Sequence, residues 1–346
     1  MALRRSPEEI RALRLENPKA RARDFAQSID VTEAELVAAY VGHGNTAIAA
    51  HPDGLMPFVK DMGEVMALTR NESCVHERVG VYSDYRRGEI AAMVLDPEID
   101  LRIFPSHWVH GFAVVEELEK GPRRSIQIFD AAGDAVHKIY LRETSDVSAF
   151  ERMLEALALP DQSGVLTLSA RRPVEGPKAD ASKAEELRKA WAEMTDTHQF
   201  MGMTKALGMN RLGANRLVGA PYAKPLALDA VTRTLELASE RKVPVMVFVG
   251  NNGCIQIHGG PVEKIVPMGP WINVLDPRFD MHLRTDHVAE VWLVRKATRS
   301  GDAISVEAFD KEGGLILQIF GYRKDNDGSA WNALAEGLPQ LEEVLA

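Results

Sequence analysis

Cysteine is nearly absent from this chain: 2 among 346 residues, Cys74 and Cys254. Two thiols cannot build a disulfide framework or a four-thiolate zinc site, and they fit a reducing compartment. Long apolar runs are missing as well. The longest, such as residues 243–249, fall far short of the ~20 residues that a membrane span needs. The opening Met-Ala-Leu-Arg-Arg-Ser-Pro has no apolar stretch of a secretory signal. These absences predict a cytoplasmic protein that is not membrane-embedded. Positive charge is not in excess: Lys+Arg 41 against Asp+Glu 50 gives a net charge of -9. An acidic surface repels polyanions, so nucleic acid is not an expected partner. Nucleotide and protease signatures are also lacking: no G-x-x-x-x-G-K-[ST], no G-x-G-x-x-G after a strand, no G-x-S-x-G and no H-E-x-x-H. With 45% hydrophobic residues the chain is globular, not disordered.

What the sequence does contain is itself, twice. At an offset of 180, Val94-Leu95-Asp96-Pro97 falls on Val274-Leu275-Asp276-Pro277. The same gapless register pairs Asn71 with Asn251, Cys74 with Cys254, Asp100 with Asp280, Ser125 with Ser305 and Phe129-Asp130 with Phe309-Asp310. Upstream, an offset of 177 pairs Glu8-Glu9 with Glu185-Glu186 and Val41-Gly42 with Val218-Gly219. A repeat held over so long a register marks two homologous halves. We place them at residues 1–165 and 183–346, joined by a linker at 166–182 that includes Arg171-Arg172-Pro173-Val174-Glu175-Gly176-Pro177.

Each half reads as helices, then strands, then a helix. Thr32-x-x-Glu35 and Ser182-x-x-Glu185 read as capping boxes. Leu187, Trp191, Met194, His198 and Met201 fall on one face of a continuous helix. Strand-like runs at 243–249, 271–275, 289–294, 303–309 and 315–320 are separated by short turns, so they must pair antiparallel. The expected class is α+β: a tandem duplication of a domain with a large antiparallel sheet flanked by helices.

Few residues stand out for chemistry. His107 and His110 are three apart and read as partly exposed histidines beside a turn, not a metal pair. Cys74 and Cys254 read as buried core residues, one per half. His198 continues an apolar helical stripe, so it should face the interior or a cleft, as a satisfied core histidine or a ligand. Its repeat-mate is Arg21, which makes the halves unequal there. Asp100, Arg102 and Phe104 should share one strand face, with Leu101 and Ile103 on the other.

Four motifs together carry a resemblance. They are Asn71-Glu72-x-x-Val75-His76-Glu77, Asp100-Leu101-Arg102-Ile103-Phe104 with Trp108, Thr195-Asp196-Thr197-His198-x-Phe200, and Gln318-Ile319-Phe320-Gly321. The chain resembles, over nearly its whole length, the bacterial cytoplasmic haemin-utilisation proteins of the HemS/ChuS/HmuS type, the haemin-degrading factors. The resemblance implies haem held in a cleft between the halves. It makes His198 the axial iron ligand, Arg102 a cationic group on the opposite haem face, and His76 a second or transient ligand. Arg211, Lys296, Tyr322 and Arg323 fall where propionate-side contacts are expected, Phe104 and Gln318 are further haem-binding candidates, and Met246 and Phe248 would help line an apolar slot for the ring. Met194, Phe200 and Met201 would help line the slot.

Two functions follow from the resemblance. One is oxidative haem degradation with iron release, in which Arg102 and His198 act on haem as substrate and cofactor. The other is a haem carrier that receives imported haem, for example from an inner-membrane importer, and passes it to a separate haem oxygenase. A duplicated structural or regulatory protein without haem is the third, plainer reading.

Overall fold

The computed structural model describes residues 5–299, 301–322 and 328–341. In the amino-terminal half the elements run α1 (Pro7–Glu16), α2 (Ala22–Ser28), α3 (Glu33–Ala38), β1 (Asn45–Ile48), α4 (Pro52–Asp61), β2 (Val65–Arg70), β3 (Cys74–Gly80), β4 (Tyr85–Arg86), β5 (Ala92–Leu95), β6 (Asp100–Ile103), β7 (His110–Leu118), β8 (Gly121–Phe129), β9 (Ala135–Leu141) and α5 (Val147–Leu157). The carboxy-terminal half repeats the series as α6 (Ala184–Ala192), α7 (Gln199–Ala206), α8 (Arg211–Val218), β10 (Ala223–Leu226), α9 (Ala230–Glu240), β11 (Val245–Gly250), β12 (Cys254–Gly260), β13 (Ile265–Met268), β14 (Trp271–Asp276), β15 (Phe279–Arg284), β16 (Glu290–Lys296), β17 (Ala303–Phe309), β18 (Leu315–Gly321) and α10 (Ser329–Glu336). Among the described residues no helix is long and apolar enough to cross a membrane.

Two compact units divide the chain, and each borrows a short segment from the other half of the sequence. The first unit is Met1–Arg70, Glu77–Arg172 and Gly250–Gln256; the second is Asn71–His76, Pro173–Val249 and Ile257–Ala346. Within the first, antiparallel ladders join β1, β7, β8, β9 and β2 in that order, and β4, β5 and β6 form a separate meander. Within the second, β10, β16, β17, β18 and β11 repeat the order, with β13, β14 and β15 as the meander. This is the expected α+β class. The duplication extends to irregularities: a bulge between Ile128 and Phe129 in β8 recurs between Ala308 and Phe309 in β17. The turn after each bulge is also repeated. Asp130 Oδ1 accepts from the Ala132 and Asp134 amides, and Asp310 Oδ1 from those of Glu312 and Gly314. Gly133 and Gly313 take the positive φ that closes each turn, +85° and +93°.

The borrowed segments are tied in by matching asparagines. In the first unit Asn251 Nδ2 donates to the carbonyls of Arg70 and Val136, both at 2.9 Å, while its Oδ1 accepts from the Gly253 and Cys254 amides. In the second, Asn71 Nδ2 donates to Ile316 O at 2.8 Å, and its Oδ1 accepts from the Ser73 and Cys74 amides. Backbone bonds repeat too: Phe104 N–H donates to Gly253 O in one unit and Arg284 N–H to Ser73 O in the other. Phe104 and Arg284 are repeat-mates, as are Gly253 and Ser73.

Local chemistry decides the helix starts. The Thr32–Glu35 capping box forms as expected. The Ser182–Glu185 box does not: Asp180 caps a short 3₁₀ turn at Ala181–Lys183 that leads into α6, so the carboxylate two residues earlier takes the role. The continuous helix expected through His198 is likewise broken, since α6 ends at Ala192 and α7 begins at Gln199.

The two cores differ around one buried histidine. In the first unit Thr69, Tyr82, Trp108, His137 and Cys254 are all buried together. Tyr82 Oη lies 2.6 Å from His137 Nε2, Thr69 Oγ1 lies 2.8 Å from His137 Nδ1, and Thr69 donates to Cys254 Sγ at 3.6 Å. Trp108 stacks on the imidazole at 5.9 Å. Their repeat-mates are Val249, Val262, Val288, Leu317 and Cys74, which all lie in the apolar core of the second unit. Both cysteines are buried and free, as expected. Burial without a countercharge pushes His137 down to about 3.

This imidazole makes the first unit acid-sensitive. The unfolded chain takes up a proton near the ordinary histidine pKa and the folded chain does not, so stability is intact above ~6.5 and falls toward pH 3 by up to about 1.4 kcal/mol per pH unit. His137→Leu, which installs the repeat-mate's side chain, should lower stability at pH 7.5 because Tyr82 and Thr69 lose their partner. Between pH 6.5 and 5, however, urea unfolding should show a slope shallower than wild type by about 1.4 kcal/mol per unit. Parallel slopes would refute the assignment.

Candidate functional site

The break between α6 and α7 builds an exposed histidine. Trp191 anchors the end of α6, buried and donating from Nε1 to Arg295 O at 2.8 Å. Past it, the Thr195 and Asp196 amides donate to Gln199 Oε1 at 2.8 and 3.2 Å. Asp196 Oδ1 then accepts twice from His198, from its backbone N–H at 2.9 Å and from ring Nδ1 at 2.6 Å. These two bonds, backbone first, hold the Asp196 carboxyl below the usual range. His198 is therefore the residue before α7, with its side chain 91% exposed. Of the two placements expected for it, interior or cleft, the interior one does not hold, and the single helical stripe does not form. Leu187, Trp191 and Met194 are core, but the Asp196-centred turn rotates His198 outward, and Met201 is 57% exposed.

The sheet of the second unit presents one face to these helices. Register places Phe248 opposite Gln318 and Gln318 opposite Glu307, with Met246 opposite Phe320 and Phe320 opposite Ser305. Side chains at such partners share a face. Met246, Phe248, Gln318 and Phe320 are half-buried there, and Phe248 meets Phe320 edge-on at 5.2 Å. The remainder of the face, Trp292, Val294 and Phe309, packs under α6–α8 with Trp191, Phe200 and Leu212. Phe200 and Met194 belong to this core.

At the centre of the face is a fully buried carboxylate, Glu307. It accepts from Gln318 Nε2 at 2.7 Å, Lys296 Nζ at 2.9 Å, Ser305 Oγ at 3.1 Å, and Arg211 Nη1 and Asn215 Nδ2 at 3.2 Å. Burial alone would raise this acid; Lys296 and Arg211 outweigh it and bring it down to about 2. Both cations also sit over the Phe200 ring, at 4.4 Å for Lys296 and 4.9 Å for Arg211. Arg211 Nη2 reaches Met201 Sδ at 3.6 Å. Arg211 is the first residue of α8, which Asn210 caps by accepting from the Gly213 amide.

The second unit thus brings Arg211, Lys296, Gln318, Met246 and Phe248 to one sheet face, with His198 on the helical layer that packs there. Lys296 departs from its expected role, because it is buried and bonded to Glu307 instead of being open to a ligand. His76 departs further. It is fully buried with its ring 4.9 Å from Phe279, so it is not presented as an iron ligand. Tyr322 is half-buried and stands so close to Gly259 that a Cβ there would come within 2.9 Å of its ring. Arg323 lies outside the described residues. In the first unit, Arg102 and Phe104 are half-buried on the face expected for them, opposite buried Leu101 and Ile103. Arg102 bonds to Asp100 and to Leu101 O; burial raises the Asp100 carboxyl against the pull of that guanidinium. Asp196 and Glu307 are the residues that sequence reasoning missed. An Asp two residues before a histidine at a helix break, and an acid alternating with Ser305 on a strand, were the available signals.

A family model described as the haemin-degrading HemS.ChuX domain matches residues 30–157 and again 208–338. The chain is 37% identical over 313 residues to the hemin transport protein HmuS of Yersinia pestis, covering 90% of each. It superposes on holo-PhuS, a heme-binding protein from Pseudomonas aeruginosa, with a TM-score of 0.93 and 42% identity, covering 97% of this chain and 100% of that one. Against ChuS, an E. coli heme oxygenase, the TM-score is 0.84 at 34% identity, covering 94% and 98%.

Glu307→Gln would leave Lys296 buried without its countercharge. Removal of one partner of a buried pair costs about 3–5 kcal/mol, whereas replacing the pair by apolar residues is often near neutral. Denaturant unfolding should therefore find Glu307→Gln more destabilising than the double variant Lys296→Met/Glu307→Leu. The reverse order would show that the ion pair does not hold this face together.

Proposed function

The chain belongs to the haemin-degrading HemS.ChuX family, and from that premise we propose that it binds haem in the service of haem-iron acquisition, with His198 as the protein ligand to iron. Haem is a flat apolar ring with a metal at its centre and two carboxylates at one edge. It asks for an imidazole on a rigid support, apolar surface for the ring, and cations for the carboxylates. The second unit has residues of each kind: His198, then Met201, Met246, Phe248 and Phe320, then Arg211. The observation that carries the reading is His198 itself, almost wholly exposed yet fixed by two bonds to Asp196. An ordered, outward-facing imidazole is placed to meet a ligand.

Bound haem supplies the iron at which oxygen is reduced, and we propose oxidative opening of the ring with iron release as the reaction. His198 fixes the iron. Arg102, whose guanidinium is steadied by Asp100, is the proposed hydrogen-bond donor for that step. Arg211 serves the ring edge, and Lys296 and Gln318 act through Glu307. Tyr322, Arg323 and Phe104 complete the proposed contacts. Electrons come from an external donor. A second reading, a carrier that hands intact haem to a separate haem oxygenase, is favoured by one observation: identity to the heme-binding PhuS, 42%, exceeds identity to the heme oxygenase ChuS, 34%.

Haemin titration followed by absorbance separates these readings. Wild type should give a saturable one-to-one Soret shift, and His198→Ala should weaken binding at least about tenfold, ~1.4 kcal/mol. A flat titration, or one indifferent to His198, sinks the haem assignment. With reductant and oxygen added, loss of the Soret band together with chelatable iron supports degradation, slowed about tenfold or more in Arg102→Ala. Retention of intact haem that then moves to an added apo haem oxygenase establishes the carrier instead.

A further inference from the structure

The reading of His198 as an iron ligand leaves open which ring nitrogen binds and how strongly it donates. A carboxylate can only accept hydrogen bonds, so the 2.6 Å contact between Asp196 Oδ1 and His198 Nδ1 requires the proton on Nδ1. In the neutral ring the lone pair then sits on Nε2, the nitrogen farther from the backbone. Nε2 makes no hydrogen bond among the described residues, and the side chain is 91% exposed. We propose that Asp196 is a positioning residue: its carboxylate fixes the Nδ1–H form of His198, selects Nε2 as the iron-binding atom and strengthens it as a donor. A carboxylate behind a ligating histidine orients the ring and raises its basicity.

Three observations support this beyond the single contact. The same Oδ1 also accepts from the His198 backbone N–H at 2.9 Å, so the carboxylate is held in place by the residue it acts on. Gln199 Oε1 accepts from the Thr195 and Asp196 amides, which braces the turn from the other side. The duplication supplies a comparison: at the 177 offset, Asp196 and His198 fall on Lys19 and Arg21. Two cations cannot make this bond, so acid and imidazole are present together in one half and absent together from the other. A purely structural role remains the competing account, because Asp196 also caps the turn through the backbone bond. Asp196→Asn separates the two roles, since an amide oxygen can still accept from both N–H groups but carries no charge.

The inference rests on His198 binding haem, and the test keeps the two ideas apart. In the haem-free full-length protein, ¹⁵N NMR of the His198 ring at neutral pH should report the Nδ1–H tautomer in wild type and a shift toward Nε2–H in Asp196→Ala. With haemin bound, Asp196→Asn and Asp196→Ala should lower haemin affinity by about 10–100-fold and move the haem reduction potential to more positive values. Circular dichroism checks that both variants are folded. If the tautomer, affinity and potential of both variants match wild type while His198→Ala loses haem, the proposal is overturned and the ligand assignment stands. If Asp196→Asn behaves as wild type and only Asp196→Ala changes, Asp196 acts through the turn and the electronic role is refuted. If His198→Ala binds haemin as wild type does, the ligand assignment falls, and with it the part given to Asp196 at the iron.

Discussion

One ionised carboxylate in a dry sheet, Glu307, sets the terms for the second unit. A lone buried charge would cost several kcal/mol, so it must be surrounded by donors of the right charge and number. Five side chains meet that demand, from α8 (Arg211, Asn215), β16 (Lys296), β17 (Ser305) and β18 (Gln318). The requirement fixes the seating of α8 on the sheet. It also fixes Phe200 of α7, whose ring both cations cover. Since His198 immediately precedes α7, its position is referred back through Phe200 to the same buried charge.

The first unit solves the corresponding problem with the charges exchanged. There the buried carboxylate is Glu33, on the helix, and its partners Lys138 and Arg70 come from the sheet. Lys138 and Arg70 outweigh burial and bring Glu33 down to about 2. Lys138 is the repeat-mate of Gln318, and Gln127 that of Glu307. The two halves keep backbone, bulge and turn alike while the polar groups between helix and sheet were rebuilt independently. A fold fixed by apolar alternation tolerates such exchange as long as each buried charge keeps a partner.

This division explains what the sequence could tell. Strand positions and the duplication were readable because alternation and turn chemistry are local. Residues 303–309 and 315–320 needed no tertiary information. The orientation of His198 was not readable from periodicity, which extended the Leu187–Trp191–Met194 stripe through it. A short-range competition settled the matter: Asp196 and Gln199 offered their side chains to backbone amides, and the helix gave way. Lys296 and His76 were misjudged for the opposite reason. Their surroundings come from other strands, Glu307 on the neighbouring strand β17 and Phe279 far along the chain, and no spacing rule announces such partners. Motif resemblance pointed to His198, Arg211 and Gln318 without explaining them. It could not indicate Glu307, which lies outside the motifs.

The exchanged segments have a bearing on how the chain would come apart. The linker crosses between units at Arg172 and Pro173, yet it is not the only covalent tie. Residues 71–76 belong to the second unit and residues 250–256 to the first. Cutting the linker once therefore yields two fragments that each still carry a piece of the other's interior, held through Asn71 and Asn251. A protease could nick this protein without dividing it. Native electrophoresis would find one species where denaturing electrophoresis finds two.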